Sequence, residues 1–206
     1  MPALEVDTPH GPANVHLRSL DEPRGALVLG HGAGGGVAAP DLVAVTGAAS
    51  GAGFTVALVE QPYRVAGRRS PAPARQLDAA WTAVADHLVA HELRRLPLVV
   101  GGRSAGARVA CRTVEATGAI GVLCLAFPLQ PPQRRSQATP SPSRLDELDA
   151  VTVPMLVVQG VGDQFGMPPA GARRTVVQVP GNHSLRTDLG AVAAAVGPWL
   201  ASVVPD

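Results

Sequence analysis

The chain has 206 residues, 46% of them hydrophobic and 16% charged, with a formal net charge of +1. That make-up is one ordinary globular domain, and it excludes a disordered tail, an acidic or basic arm and a nucleic-acid binder. All 17 basic residues are arginine, which we attribute to a GC-rich coding sequence and not to phosphate recognition.

Taken in order, residues 4–6 and 14–17 are short strand-like pieces on either side of His10-Gly11-Pro12. They predict an antiparallel edge hairpin within residues 1–24. Ala26-Leu27-Val28-Leu29 is a continuous apolar run, as expected of a parallel strand covered on both faces. It leads into His31-Gly32-Ala33-Gly34-Gly35-Gly36, a loop whose backbone can come close to a ligand. Asp41 after Pro40 is expected to cap a helix carrying Leu42, Val45 and Ala49, with Gly51-Ala52-Gly53 ending it before a strand over residues 54–59.

A loop rich in Pro, Gly and Arg is expected over residues 61–73, then a helix whose Leu77, Trp81, Val84 and Leu88 recur at helical spacing. Residues 98–101 read as the next buried strand, which Gly102-Arg103-Ser104-Ala105-Gly106 turns sharply into a helix lined with Ala105, Gly106, Ala107 and Ala110. Another strand over 120–127, a proline-rich loop over 128–142, a short helix over 145–148 and a strand over 154–159 follow. The connection between these last two strands is too short for a cap domain. The last strand spans 174–179, and Asp188 can cap a helix bearing Leu189, Val192, Val196 and Leu200, which Pro198 is expected to kink or shorten. Alternation of strands and helices over residues 1–206 predicts a single α/β domain, a doubly wound and mostly parallel sheet flanked by helices. Its ligands should sit at the carboxyl ends of the strands.

A serine in the pattern GxSxG between a strand and a helix has its hydroxyl pushed out of a strained turn, with the helix dipole and free backbone N–H groups aimed at the reacting centre. In a chain with 23 glycines the pentapeptide alone is weak evidence, so its context must carry the reading. A serine hydroxyl needs a general base, and the base needs a carboxylate to fix its tautomer. On such sheets the chain order is nucleophile, acid, base. Of six histidines only His183 lies beyond Ser104, in the loop Pro180-Gly181-Asn182-His183-Ser184. The carboxylates between them are Glu115, Asp146, Glu147, Asp149 and Asp163. Glu115 sits on the helix after the nucleophile, and the next three precede a strand at its wrong end. Asp163 follows a strand, where loops form the site. The oxyanion of such a reaction needs preorganised donors, assigned here to the N–H groups of Ala105 and of Ala33, preferred over Gly34.

Other readings are weaker. The glycine loop lacks both the Lys-Ser/Thr ending of a P-loop and GxGxxG spacing, so no phosphate or dinucleotide cofactor is expected. His87 and His91 stand at i, i+4 without a zincin glutamate, so no metal is expected. Gly34, Tyr63, Arg64 and Arg103 are candidate substrate contacts, and Arg68 and Arg69 extend an arginine-rich loop whose role is open. Cys111 and Cys124 fall among apolar residues and suit a reducing compartment, the cytoplasm. Residues 1–7 lack the features of a signal peptide, and the uncharged run 189–205 is shorter than the ~20 residues of a membrane span, so no membrane partner is expected.

Five stretches taken together carry a family resemblance: His31-Gly32-Ala33-Gly34-Gly35, Pro62-Tyr63-Arg64 with Arg68-Arg69, Gly102-Arg103-Ser104-Ala105-Gly106-Ala107-Arg108, Phe127-Pro128-Leu129-Gln130-Pro131-Pro132, and Gln159-Gly160-Val161-Gly162-Asp163-Gln164-Phe165-Gly166. They resemble the dienelactone-hydrolase-like group of the α/β-hydrolase superfamily, which also holds testis-expressed protein thirty and the third regulatory subunit of the NSL histone acetyltransferase complex. The resemblance implies the α/β-hydrolase fold and supports Ser104, Asp163 and His183 as the triad. Ala105 stands where larger residues are common in the group. Ser104 stands where dienelactone hydrolases use cysteine, which argues against that particular substrate.

The expected function is a small, cofactor-free serine hydrolase that cleaves a small carboxylic ester or thioester through an acyl-enzyme on Ser104. A non-catalytic binding or assembly module with a vestigial site is the rival, since the group includes scaffolding members. The missing lid suggests an open cleft for small or polar acyl substrates.

Overall fold

The computed structural model describes residues 3–131 and 142–204. The residues 132–141 of the proline-rich loop, including Pro132 of the motif above, lie outside the described residues. Among those described, the strands are β1 (Leu4–Val6), β2 (Ala13–Arg18), β3 (Gly25–Gly30), β4 (Phe54–Glu60), β5 (Leu98–Arg103), β6 (Gly121–Leu125), β7 (Met155–Gly160) and β8 (Arg174–Val179). The helices are α1 (Pro40–Gly51), α2 (Pro62–Val65), α3 (Ala74–His91), α4 (Ala105–Thr117), α5 (Leu145–Asp149) and α6 (Leu189–Val203).

All the strands join one sheet in the order β1-β2-β4-β3-β5-β6-β7-β8. The hairpin β1-β2 and the β2-β4 pair are antiparallel, and the rest are parallel. This is the α/β-hydrolase sheet. Period-two alternation divides its side chains between two cores. Val28, Val100, Val122 and Val157 face a layer built by Trp81 and Leu88 of α3 and Ala107 and Ala110 of α4. Leu27, Val99, Leu123 and Val158 face the opposite layer, with Leu42 and Val45 of α1 and Val196 and Leu200 of α6. Each fully buried Leu or Val of this kind stabilises the fold by roughly 1.5–3 kcal/mol. That two-sided burial is why the central strands are unbroken apolar runs.

The chain runs from β3 outward to β4 and then crosses back to β5, which pairs with the other side of β3. From the carboxyl end of β3 the chain leaves toward β4, and from that of β5 toward β6 on the other side, which opens a crevice between them. The glycine loop follows β3 and Ser104 follows β5. Among the described residues, the connection from β6 to β7 holds only the five-residue helix α5.

Three local expectations are corrected. Asp41 does not cap α1. Ala39 is the capping residue and Pro40 opens the helix, because a proline ring presets the first helical φ. Asp41 lies within the first turn, 1% exposed, beside the Arg103 guanidinium. The stretch 61–73 is not all loop, since Pro62 likewise starts the single turn α2. Pro198 does not shorten α6, which runs through it to Val203. Pro198 and Ala194, whose carbonyl loses its donor, are both exposed, so water can satisfy that carbonyl, while Val192, Val196 and Leu200 keep the helix on the core.

Candidate active site

Ser104 joins β5 to α4 with φ 52° and ψ −106°, a strained conformation for a residue with a side chain. Its N–H donates to the Leu125 carbonyl of β6 at 2.9 Å. The flanking glycines give the turn its room. A Cβ on Gly102 would stand 2.5 Å from the Gly30 carbonyl oxygen, and one on Gly106 would overlap the same oxygen. The glycines of GxSxG thus let the start of α4 lie against the end of β3.

Loops after β7 and β8 bring up two more side chains. Gly160 has no space for a Cβ, which would meet the Asn182 carbonyl at 2.6 Å, and Gly162 N donates to the Gly181 carbonyl at 2.8 Å. The two loops are so close that His183 Nδ1 lies 2.8 Å from Asp163 Oδ2 and His183 Nε2 lies 2.9 Å from Ser104 Oγ. Because the carboxylate can only accept from Nδ1–H, the neutral ring presents a bare Nε2 that accepts from the Ser104 hydroxyl. Such an arrangement can draw the proton from Ser104 and hold it while the oxygen attacks a carbonyl.

Asp163 is held on every side. Its side chain is 1% exposed, Phe165 N donates to Oδ1 at 2.9 Å, and Gln159 Nε2 donates to Oδ2 at 2.9 Å. The Gln159 amide also reaches the carbonyls of Phe127 and Gly166. The Phe165 ring packs against the His183 imidazole with centroids 4.3 Å apart. Sequence reasoning missed both Gln159 and Phe165. The only local sign was that they flank Asp163 in the strand-end motif.

The Ala105 N–H opens α4, where helical donors have no intrahelical partner. Ala33 lines the same cleft as Ser104 and Ala105. Among the described residues, neither N–H has a protein acceptor. Tyr63 Oη donates to the Ala33 carbonyl at 2.9 Å, and burial pushes its phenol up, so it stays protonated as a donor. His31 fastens the same loop from below: Gln61 N donates to its Nε2 at 3.1 Å, so its Nδ1–H donates to the Gly32 carbonyl at 2.8 Å. Burial lowers its pKa and keeps that ring neutral.

The other candidate contacts are placed differently. Arg103 spends its guanidinium on Asp41 and on the His183 carbonyl. Arg64 turns to the Arg68 carbonyl, and neither Arg64 nor Gly34 lines the spaces beside Ser104 and His183. Two spaces among the described residues are lined by Ser104 or His183. One, of about 250 Å³, holds Ser104, Ala33, Ala105, Phe165 and the arginines Arg108, Arg112 and Arg144. The other, of about 360 Å³, holds Arg103, Gly162, Gln164, Asn182, His183 and Ser184. Arg108 and Arg112 of α4, and Arg144 just before α5, were not among the sequence candidates, and nothing in their local pattern sets them apart from surface charge.

A profile of a family described as alpha/beta hydrolase domain matches residues 23–187. No curated protein matches the sequence. Among solved structures, Est1E from Butyrivibrio proteoclasticus is similar with a TM-score of 0.77 at 17% identity, over 99% of each chain. XC6422 from Xanthomonas campestris, an a/b serine hydrolase without lid, is similar with a TM-score of 0.75 at 20% identity, over 99% of this chain and 95% of its own. Dienelactone hydrolase from Anabaena variabilis has a TM-score of 0.74 at 17% identity, over 98% and 97%. At these identities the likeness is one of fold.

Proposed function

Since the chain belongs to the alpha/beta hydrolase domain family, which matches most of its length, we propose that it is a serine hydrolase acting on a small carboxylic ester or thioester. The observation that carries this reading is the His183 ring, whose two nitrogens lie 2.8 Å from Asp163 Oδ2 and 2.9 Å from Ser104 Oγ. Ser104 Oγ attacks the carbonyl carbon and passes its proton to His183 Nε2. Asp163 orients the ring and stabilises the imidazolium. The Ala105 and Ala33 N–H groups receive the oxyanion, a contribution of ~2.7–4 kcal/mol per donor in sites of this type.

As the tetrahedral species collapses, the bond to the leaving oxygen or sulfur breaks and His183 returns the proton to that atom. Water then attacks the acyl-enzyme, giving its proton to His183, and Ser104 leaves with that proton while the free acid departs. None of these steps calls on a cofactor. Among the described residues no helix is long and apolar enough to cross a membrane. Cys111 and Cys124 stay as buried thiols with their sulfurs 3.5 Å apart, which supports a cytoplasmic setting.

The test is labelling with a fluorophosphonate probe, read by intact mass, on the wild type and on Ser104→Ala and His183→Ala. Stoichiometric labelling of the wild type alone is expected. A well-folded wild type that takes no label would overturn the reading in favour of a binding module.

A further inference from the structure

The two spaces at the site divide the substrate. A leaving group departs on the side of the base that protonates it, and His183 lines the space shared with Asn182 and Ser184. The other space holds Ser104, Ala33 and Ala105 but not His183. On the hydrolase reading above, it takes the acyl chain. Its walls include Arg108, Arg112 and Arg144.

These three guanidinium groups are unequally partnered. Arg108 forms a two-pronged pair with Glu147 at 2.9 and 2.5 Å, and Arg112 does the same with Asp78 at 2.8 and 2.6 Å. Arg112 Nη1 also touches Glu147 at 3.4 Å. Arg144 donates to the neutral Pro128 carbonyl at 2.8 Å and, among the described residues, has no carboxylate of its own. In sequence, the stretch 132–141 contains no Asp or Glu and two further arginines, Arg134 and Arg135. Among the described residues, these three positive charges face two carboxylates, Glu147 and Asp78, and Arg144 is the one paired with neither. Burial, with Arg108 and Arg112 close by, pulls the Arg144 guanidinium below its usual range against the opposing pull of Glu147.

We infer that the acyl chain of the substrate ends in a carboxylate, which Arg144 receives beside the Arg108-Glu147 pair. A guanidinium accepts a carboxylate through two parallel N–H bonds. A substrate of this kind is the half-ester of a short dicarboxylic acid such as glutarate, which hydrolysis turns into the free diacid and an alcohol or thiol.

The experiment compares the 4-nitrophenyl half-ester of glutarate with its methyl-capped neutral analogue, as the ratio of kcat/KM for the two esters in each protein. The wild type is expected to prefer the acid by about 10-fold or more, the size of one hydrogen-bonded charge contact. Arg144→Gln should bring the ratio close to one, and Arg144→Lys should keep part of the preference. Labelling of Ser104 with no preference for the anionic ester overturns the carboxylate site and leaves the hydrolase reading standing. If neither ester nor fluorophosphonate reacts, calorimetry with glutarate decides. Binding by the wild type that Arg144→Gln abolishes supports the site as a binding site alone, and absence of binding overturns it.

Discussion

Arg103 Nη2 donates to the carbonyl oxygen of His183 across 3.1 Å, joining residues 80 apart in sequence. The residue before Ser104 thereby holds the backbone of the ring that faces Ser104. The same guanidinium sits 2.9 Å from the buried Asp41 carboxylate through its Nε, and its Nη1 lies over Gly32, where a Cβ would come within 2.7 Å. One side chain thus ties together the glycine loop, α1 and the His183 loop.

Removing that cation should make stability depend more steeply on pH. Burial raises the Asp41 carboxyl against the pull of Arg103. In Arg103→Met the folded-state pKa climbs further above the unfolded value of ~3.9. A folded pKa raised in this way means that the charged form costs stability above the unfolded value, and the cost disappears as the pH falls through the folded pKa. Urea unfolding at pH 7.5 should show a loss of about 3–5 kcal/mol, shrinking as the pH falls toward 4.5. An equal loss at both pH values would refute the account.

Asp163→Asn should be nearly silent structurally and severe in turnover. Phe165 N donates to one oxygen, while His183 and Gln159 donate to the other, so either orientation of an amide sets its NH2 against a donor. The ring then loses the tautomer that leaves Nε2 bare, and kcat on an activated ester should fall by ~10³–10⁴, with circular dichroism close to wild type and a stability loss of about 1–3 kcal/mol for the opposed donors.

Two glycines near Ser104, one in the turn and one in the loop after β3, should behave in opposite ways. Gly106→Ala drives a methyl into the Gly30 carbonyl, whereas nothing lies within 4 Å of a Cβ on Gly34. Gly106→Ala is expected to cost about 3 kcal/mol or more, as backbone overpacking does, and Gly34→Ala to stay within about 0.5 kcal/mol. Chemical denaturation of both variants measures the contrast.

Tyr63→Phe removes the hydrogen bond to the Ala33 carbonyl and leaves the ring in place. Its stability cost should be about 0.5–1.5 kcal/mol. If Ala33 supplies an oxyanion donor, ester turnover should fall several-fold with little change in KM, measured by steady-state kinetics.

The thiols provide a probe of the core. The Cys111 sulfur and burial together push the Cys124 thiol well up, and both cysteines are buried. A reactive thiol must be an accessible thiolate. The native protein should therefore leave a disulfide reagent such as Ellman's unreacted at pH 8, and release two equivalents per chain on unfolding.

Local pattern was enough to read the alternating strands and helices, because burial on two faces imposes apolar runs on strands such as 26–29 and helical spacing on Leu77, Trp81, Val84 and Leu88. Ser104, Asp163 and His183 could be singled out in the same way, since each follows a strand and the order along the chain does not depend on packing. Other features depend on where separate elements come to rest. Asp41 reads locally as a cap, and only the approach of β5 to α1 makes it the partner of Arg103. Arg112 meets Asp78 across 34 residues, and Arg108 meets Glu147 across 39, once α3, α4 and α5 gather on one side of the sheet. Side-chain spacing along a chain encodes which face is buried. Which charges then meet, and which one is left over, is set by distances between packed elements that no local pattern contains.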